Sequence, residues 1–315
     1  MPRRKERSLF VRQNALSQDF NTSDSWVILN PIEQSIKAKI EKIGTPLKDW
    51  DISIYRGILT GCNEVFIIDE AKRREILGNC KTADERKRTD ELIRPILRGR
   101  DIKRYSYEWK GLYVILAYYG SHHFLAREYP TIHAHLKKFK NILENRGQCR
   151  YTSSGHPNPN AEYPGQHHWL ELDNNPTLEK LDDFSKPKIL WADISDKPKF
   201  ALDTVGKFFC SNTVYFLSGS ALEFMICYLN SPLSEYLFSK IGSSTGVGTR
   251  RWQSFTIERL LFPRITITQE KEFKQLLNLM NQSKATEAEI NRRIYALCCL
   301  SKEEIAFIEQ YVFSN

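Results

Sequence analysis

The sequence has no run of about 18 apolar residues, the length that a membrane-spanning helix requires. The basic start, Met1 to Lys5, is not followed by an apolar stretch, so we expect no secretory signal. Cysteine is scarce and scattered: there are seven, an odd number, without a C-x-x-C pair. This distribution disfavours a zinc ribbon and a disulfide framework and is typical of a protein of the reducing cytoplasm.

The signature of adenine methylation is missing as well. An adenine-specific DNA methyltransferase needs Asn or Asp, two prolines and an aromatic residue, which hold and stack the flipped base. Asn30–Ile32, Asn158–Asn160 and Asn175–Thr177 each contain an Asn-Pro pair but lack the second proline and the aromatic residue. No glycine-rich turn follows a predicted first strand to bind a methyl donor. We therefore expect no methyl transfer by this chain alone.

Metal-binding signatures are sparse. Metal-dependent nucleases often place an Asp ahead of a Glu-x-Lys triplet, and Glu70–Lys72 and Glu108–Lys110 match only the triplet. A chain with 27% charged residues contains such triplets by chance, so we interpret both as solvated surface charge. There is no H-E-x-x-H motif, and adjacent histidines such as His122 and His123 would point to opposite sides of a strand. We predict no metal site and no catalytic centre in this chain.

What is present is the composition of a folded, moderately basic protein. Hydrophobic residues make up 41% and aromatic residues 12%, which is enough for a core. Lys and Arg number 46 against 38 Asp and Glu, giving a net charge of +8 and a pI of about 9.0. A basic excess of this size fits a polyanionic partner without identifying one.

Periodicity divides the chain into three parts. Residues 1–24 are polar and aperiodic, which predicts a tail or linker. Over residues 25–265, strand-like runs and helices are mixed without regular alternation. This pattern predicts an α+β domain, with a mixed β-sheet scaffold and peripheral helices. Residues 266–315 are helical in pattern and predict a helical C-terminal appendage.

Local signals make more specific predictions. Asn30–Glu33 is a capping-box pattern at the start of a helix that should end at Gly44. Ser301–Glu304 repeats the capping-box pattern near the C-terminus. Ile52–Tyr55 and Val65–Ile68 flank a turn region, which predicts a hairpin-like unit.

Basic residues beside aromatic or glycine-rich segments form the candidate binding surface. Arg and Lys can neutralise phosphates, and in the major groove Arg can contact guanine and Asn can contact adenine. Polar loops over residues 146–178 and 242–249 could aim such groups into a groove. The candidates for DNA binding are Arg56, Thr60, Asn63, Arg98, Arg100, Lys103, Arg146, Arg150, Arg250, Arg251 and Trp252.

Several blocks carry a family resemblance. The most distinctive is Pro95–Ile102, PILRGRDI, and the turn segment Tyr55–Phe66 is similar to that of the same family. Further matching blocks are Trp26–Asn30, Lys42–Leu47, Lys186–Trp191, Leu229–Ser231 and Ile257–Pro263. In this order the blocks resemble the TaqI-like C-terminal specificity domain of adenine-specific DNA methyltransferases and type IIG restriction–modification enzymes. The resemblance covers about residues 25–265.

The resemblance implies a sequence-reading domain of a bacterial restriction–modification system. Such a domain reads a short duplex DNA sequence and orients a catalytic domain over the target adenine. The implied partners are therefore duplex DNA and a methyltransferase or nuclease catalytic domain. That partner domain would use S-adenosylmethionine and, for cleavage, Mg²⁺, whereas this chain would hold no cofactor. The catalytic domain normally precedes this region, but here only about two dozen residues do, so we expect catalysis to be supplied from elsewhere.

Three alternatives stay open. The chain could be a restriction endonuclease subunit, which would require two carboxylates and a Lys around one metal-sized space. It could instead be an assembly module for a separate methyltransferase subunit, bound through an apolar stripe that includes Ile308 and Val312, unless that stripe packs on the domain itself. Finally, Arg56 or Arg98 could stabilise a turn by pairing with a nearby aspartate, the candidates being Asp49, Asp51 and Asp101.

Overall fold

The computed structural model describes residues 29–244, 248–281 and 287–314. The predicted tail over residues 1–24 lies outside these ranges, as do residues 245–247 of the Gly/Ser/Thr loop. Within them, short strands and helices are interspersed, and the predicted α+β class is confirmed. The strands are β1 (Gly44–Pro46), β2 (Ile52–Arg56), β3 (Ile67–Asp69), β4 (Ile93–Leu97), β5 (Ile102–Lys103), β6 (Ser106–Tyr107), β7 (Leu112–Ile115), β8 (Lys188–Ala192), β9 (Ile194–Ser195), β10 (Phe200–Asp203), β11 (Phe209–Cys210), β12 (Val214–Gly219), β13 (Ser243–Ser244), β14 (Arg250–Arg251) and β15 (Leu261–Pro263).

The helices lie around these strands and dominate the C-terminal part of the chain. Single 3₁₀ turns span Leu47–Asp49, Gly99–Asp101 and Asp183–Ser185. The α-helices are α1 (Pro31–Ile43), α2 (Asn63–Phe66), α3 (Glu70–Gly78), α4 (Ala83–Leu92), α5 (His122–Glu128), α6 (Pro130–Lys137), α7 (Lys140–Glu144), α8 (Gly147–Arg150), α9 (Leu178–Asp182), α10 (Leu222–Leu229), α11 (Pro232–Ile241), α12 (Ser254–Ile257), α13 (Ile267–Asn281), α14 (Glu287–Leu297) and α15 (Lys302–Ser314).

Both predicted capping boxes are present. The Asn30 side chain accepts a hydrogen bond from the Glu33 amide at 2.9 Å, and the Glu33 carboxylate accepts one from the Asn30 amide at 3.0 Å. The Glu304 amide donates to Ser301 Oγ, and the Ser301 amide donates to the Glu304 carboxylate at 2.6 Å. Each box satisfies amide groups that the first helical turn leaves unpaired. These two helix starts are therefore determined locally.

A four-stranded sheet, β10-β8-β12-β2, separates two hydrophobic cores. Successive side chains of a strand point to opposite faces. Ile189 and Trp191 of β8 thus lie in the first core, and Leu190 between them lies in the second. The strands pair antiparallel, but both faces of the sheet are covered. This double burial explains why β8 reads as an almost continuous apolar run.

The first core includes the C-terminal helices. Ile36 of α1, Phe224 of α10, Ile294 of α14 and Ile308 of α15 are all fully buried in this cluster. Val312, further along α15, is buried there as well. The apolar stripe of the last helix therefore packs on the domain itself, which weakens the case for it as a docking surface for a separate subunit.

The second core lies against a mixed sheet, β11-β4-β7-β3. The β11 strand runs parallel to β4, whereas the β4–β7 and β7–β3 pairs are antiparallel. Helices α3, α5 and α6 cover this core with Ile76, Leu125 and Ile132. The mixed sheet scaffold with helices around it agrees with the predicted architecture.

The predicted hairpin is wrong. β2 pairs with β12, and the second apolar run is divided between α2 and β3, which pairs with β7. The intervening turn does not return the chain onto β2, because the Gly57 amide bonds to Val214 O and the Ile58 amide to Cys210 O, both at 2.8 Å. A Cβ on Gly57 would lie 2.1 Å from Ser211 O, so this close approach of two backbones requires glycine.

Two sequence observations have simple structural counterparts. No helix in the described ranges is long and apolar enough to cross a membrane. All seven cysteines are free thiols. Burial raises the pKa of Cys210 and of Cys298 to about 12, so both stay protonated at neutral pH.

Candidate nucleic-acid interface

A cleft of about 880 Å³ collects predicted site residues that are far apart in sequence. Its walls come from the start of α2, the 3₁₀ turn after β4, β5, β9 and the loop between β11 and β12. Four of the predicted residues, Asn63, Arg98, Arg100 and Lys103, line it. The PILRGRDI block contributes most of one wall, which gives this segment a site-forming role.

Arg98 is an internal structural residue of that wall. Its guanidinium binds the buried Asp101 carboxylate with two hydrogen bonds, from Nε at 3.0 Å and from NH2 at 2.9 Å, and the Arg98 amide adds a third at 2.9 Å. The Gly99 amide donates to Thr213 Oγ1 at 3.2 Å, which attaches the turn to the opposite loop. The internal pair that the sequence offered as an alternative for Arg98 is therefore present, with Asp101 as the partner.

Arg100 and Lys103 are the cations that this turn presents to the cleft. Arg100 is exposed and has no ion-pair or hydrogen-bond partner for its guanidinium in the part of the chain that the structure describes. Lys103 is half-buried, and its ammonium donates to the Arg100 carbonyl at 3.2 Å. Because Arg98 neutralises Asp101, the positive charge of Arg100 remains available for an anionic or hydrogen-bonding ligand.

The cleft also carries carboxylates that sequence reasoning missed. Asp196 pairs with Lys199 at 2.6 Å, which cancels both charges. Oδ1 of Asp193 is buried and has no hydrogen-bond partner among the described residues. Asp193 as a whole is half-buried and lines the cleft, so its carboxylate can accept a hydrogen bond from a base amine, as Asp does from cytosine N4. A weak signal was available, because Asp193 lies two residues after the family-like block Lys186–Trp191.

Arg250 and Arg251 lie on the edge of the cleft, on strand β14. This strand pairs with β9, which places Arg250 opposite Ser195 and Arg251 opposite Ile194. Arg250 is half-buried and pairs with Glu235 at 3.4 Å. Arg251 is exposed and has no such partner in the described ranges. At the edge of the cleft, Arg251 is therefore the arginine that is accessible to a ligand.

Trp252 is a core residue, and its predicted contact with DNA has to be corrected. Only 1% of its surface is exposed, and its ring stacks on Phe238 with centroids 3.9 Å apart. Its backbone carbonyl accepts a hydrogen bond from Trp191 Nε1 at 2.7 Å. Burial leaves the indole no access to a ligand, and its role is to anchor the end of β14.

The turn from Arg56 to Asn63 is held by internal hydrogen bonds. Thr60 is 2% exposed and donates from Oγ1 to Asn63 Oδ1 at 2.7 Å, so it orients Asn63 and is not itself accessible. Arg56 is exposed, and its Nε donates to Asn212 O at 2.8 Å. Gly61 has a φ of +68°, the left-handed region that favours glycine. Arg56 and Asn63 are therefore the accessible members of this turn.

Arg146, another predicted DNA-binding residue, is buried and is not accessible to a ligand. It is 7% exposed, and its guanidinium donates to Asp173 Oδ1 at 2.9 Å. It also donates to the carbonyls of Leu143, Thr60, Trp169 and Glu171, at 2.7–3.1 Å. A fully bonded guanidinium joins the start and end of the long loop to the Thr60 turn, which is a structural role.

The remaining candidate and the two nuclease-like triplets are on the surface. Arg150 is exposed, with its guanidinium over the Tyr151 ring at 5.3 Å. Glu70 pairs with Arg73 and Arg74, and Glu108 pairs with Lys110 at 3.1 Å. These carboxylates are bound to neighbouring basic side chains, in agreement with their interpretation as surface charge.

Comparison with known proteins places this cleft in a family context. The sequence profile of the TaqI-like C-terminal specificity domain matches residues 94–261, more than half of the chain and most of the cleft. No curated protein matches the sequence significantly.

Two solved structures align with most of this chain. The type IIL restriction-modification enzyme MmeI, solved in complex with DNA, aligns with a TM-score of 0.54 at 11% identity, over 86% of this chain and 37% of that one. The type IIG restriction endonuclease BpuSI aligns with a TM-score of 0.49 at 13% identity, over 85% of this chain and 32% of that one. This chain thus spans about a third of the length of either protein. The sequence profile, supported by the MmeI fold, shows that the chain belongs to the family of TaqI-like C-terminal specificity domains.

Proposed function

We propose that this chain recognises a short duplex DNA sequence as the specificity domain of a restriction–modification system. The observation that carries the proposal is the composition of the cleft inside the family-matched segment. It combines an exposed guanidinium without an ion-pair partner among the described residues (Arg100), an amide (Asn63) and the carboxylate of a half-buried residue (Asp193). These three groups are a base-reading set, because each matches a donor or acceptor pattern of the major groove.

The positions of the cations suggest a division of labour. Arg100 shares the cleft with hydrogen-bonding side chains, so we assign it a contact with a base edge. Arg251 is exposed on β14 and does not line the cleft, so we assign it a phosphate contact. Lys103 adds a second basic group to the cleft, and Arg56 and Arg150 are exposed basic groups that support binding from the surface. Arg98, Arg146, Thr60 and Trp252 act indirectly, by holding the scaffold on which the accessible groups are mounted.

A catalytic domain would complete the system. We propose a methyltransferase or nuclease domain, on this polypeptide or on another, that acts on an adenine near the recognised sequence. S-adenosylmethionine would serve methylation in that domain, and a divalent cation would serve cleavage. The residues of this chain supply binding and orientation.

The test begins with selection from a random duplex DNA pool near physiological salt, followed by sequencing of the bound fraction. Fluorescence anisotropy then compares the selected sequence with a scrambled one. Arg100→Ala should weaken binding to the selected sequence by about 5–150-fold, equivalent to 1–3 kcal/mol, and should relax specificity at one base pair. Arg251→Ala should weaken both duplexes equally and reduce the slope of log K against log salt by about 1.

Arg127→Ala is the matched control. Arg127 is 76% exposed and does not line the cleft, so its loss removes the same charge without the proposed contact. It should leave both affinity and specificity nearly unchanged. Binding without a common motif would restrict this chain to phosphate contacts, and absence of binding would refute recognition by this domain alone. Equal effects of Arg100→Ala and Arg127→Ala would refute the assignment of the cleft.

A further inference from the structure

A second cluster of polar side chains lies outside the cleft, where the long loop meets helix α5. Nε2 of His122 is 3.1 Å from a carboxylate oxygen of Glu162, and Nδ1 of His123 is 3.9 Å from the same oxygen. The ligand atoms of these three residues all lie within 4.8 Å of one another. Two imidazole nitrogens and a carboxylate oxygen are therefore directed at one small volume.

A buried carboxylate fixes the ring of His122. Glu171 is fully buried, and its Oε1 contacts His122 Nδ1 at 2.5 Å. The same oxygen accepts a hydrogen bond from the Gly120 amide at 2.7 Å. With Nδ1 bound to this carboxylate, Nε2 is the nitrogen that faces Glu162. A histidine oriented in this way by a carboxylate is the usual second layer of a metal site.

The helix explains why adjacent histidines can act together here. On a strand, as expected from the sequence, neighbouring side chains would diverge and could not share a metal. Instead His122 and His123 open helix α5, and their ring centroids are only 3.9 Å apart. Glu162 comes from the long loop and completes the group.

We propose that His122, His123 and Glu162 bind a divalent transition-metal ion, with Zn²⁺ as the best match. Zn²⁺ binds imidazole nitrogen and carboxylate oxygen at about 2.0–2.2 Å, so the ligand atoms of a tetrahedral site lie roughly 3.4 Å apart. The distances of 3.1 and 3.9 Å from Glu162 to the two rings bracket that value. Three protein ligands leave a fourth position for water.

The metal would attach the long loop to the scaffold. Between α8 and α9 the chain forms no helix or strand, and Glu162 is near the middle of this stretch. The Glu162 side chain is 60% exposed and the His123 side chain is 64% exposed, so neither side chain is fixed by packing in a hydrophobic core. A metal ion that joins Glu162 to α5 would restrict the conformation of the loop at a point where side-chain packing does not restrict it.

The experiment uses the untagged chain, freed of metal with a chelator and then titrated with Zn²⁺ against a chromophoric competitor. We expect one Zn²⁺ per chain. His123→Ala and Glu162→Gln should each lower the affinity at least tenfold. Both side chains are exposed, so these variants should fold normally, which far-UV circular dichroism checks. His156→Ala and Glu179→Gln are the controls, since both residues are exposed and lie outside the cluster; they should bind Zn²⁺ like the parent chain.

Two further measurements separate this site from adventitious binding. Saturating Zn²⁺ should raise the melting temperature of the parent chain more than that of Glu162→Gln. Co²⁺ in place of Zn²⁺ should show ligand-field bands without thiolate-to-cobalt charge transfer. No saturable binding, unchanged affinity in both ligand variants, or a thiolate band that assigns the ion to cysteines would each overturn the proposal. DNA binding is not part of these readouts, so the result is independent of the function proposed above.

Discussion

The ion pair between Arg98 and Asp101 makes a sharp prediction about two neighbouring arginines. Arg98→Ala removes both side-chain hydrogen bonds to a carboxylate that is only 2% exposed. Arg100→Ala, two residues away, removes an exposed side chain whose guanidinium has no hydrogen-bond or ion-pair partner among the described residues. The first change should therefore destabilise the fold, and the second should affect only ligand binding.

The magnitude follows from the burial of the pair. Removing one partner of a buried ion pair costs about 3–5 kcal/mol, because the other charge is left uncompensated. Arg98 is 24% exposed, and Asp101 keeps the hydrogen bond from the Arg98 amide, so we expect about 2 kcal/mol for Arg98→Ala, equivalent to a melting-temperature decrease of roughly 5 °C. An exposed substitution such as Arg100→Ala should remain within about 0.5 kcal/mol of the parent chain.

The pH dependence supplies an internal check. Burial opposes ionisation of Asp101, but the hydrogen bonds and charge of Arg98 outweigh it, so the pKa lies below its usual 3.8. A lowered pKa stabilises the fold at pH values above 3.8, and this contribution is lost as the pH falls through the folded-state pKa. The stability difference between the parent chain and Arg98→Ala should therefore shrink in acid.

Urea unfolding followed by tryptophan fluorescence, at pH 7 and near pH 3, measures both variants. Equal stability of Arg98→Ala and the parent chain would refute the structural role of the pair. A loss in Arg100→Ala as large as that in Arg98→Ala would contradict the distinction between the two arginines.

Two further predictions concern buried charges. Burial opposes protonation of His167, but the hydrogen bond to Asp173 outweighs it and raises the pKa to about 9. The raised pKa stabilises the fold by at most about 3 kcal/mol. This stabilisation is complete below pH 6.5 and is lost as the pH rises through 9. Urea unfolding of the parent chain and His167→Gln at pH 6 and pH 10 checks this, and parallel pH profiles would contradict it. Lys188 and Asp203 form a fully buried pair at 2.7 Å, so Lys188→Met should cost about 3–5 kcal/mol, and adding Asp203→Asn should restore much of the loss by removing the unpaired charge. Calorimetry would test this, and a double variant no more stable than the single one would argue against charge as the cause.

In the candidate site, the sequence predicted which residues take part but not which of their side chains are accessible. The family-like block was found from its residues, and one of its two arginines had a correct alternative role as the partner of Asp101. For Arg146 and Arg250, the sequence did not reveal that their guanidinium groups are paired inside the protein. The acceptors of Arg146 include residues 60 and 173, and Arg250 pairs with Glu235, so accessibility depends on contacts that spacing does not encode.

The sequence by itself determined the features that depend on hydrogen bonds between residues close together in the chain, such as the starts of helices. The capping boxes at Asn30 and Ser301 join residues three apart, and the helices they start were predicted correctly. Strand pairing was decided only in the tertiary structure: the run at Val65–Ile68 had the composition for a hairpin, but β2 found its partner in β12, more than 150 residues away. The same packing put Trp252 in the core and left Arg251 beside it at the surface. Which side chains a folded chain exposes is set by the burial of apolar area across the whole molecule, a long-range balance that no local pattern contains.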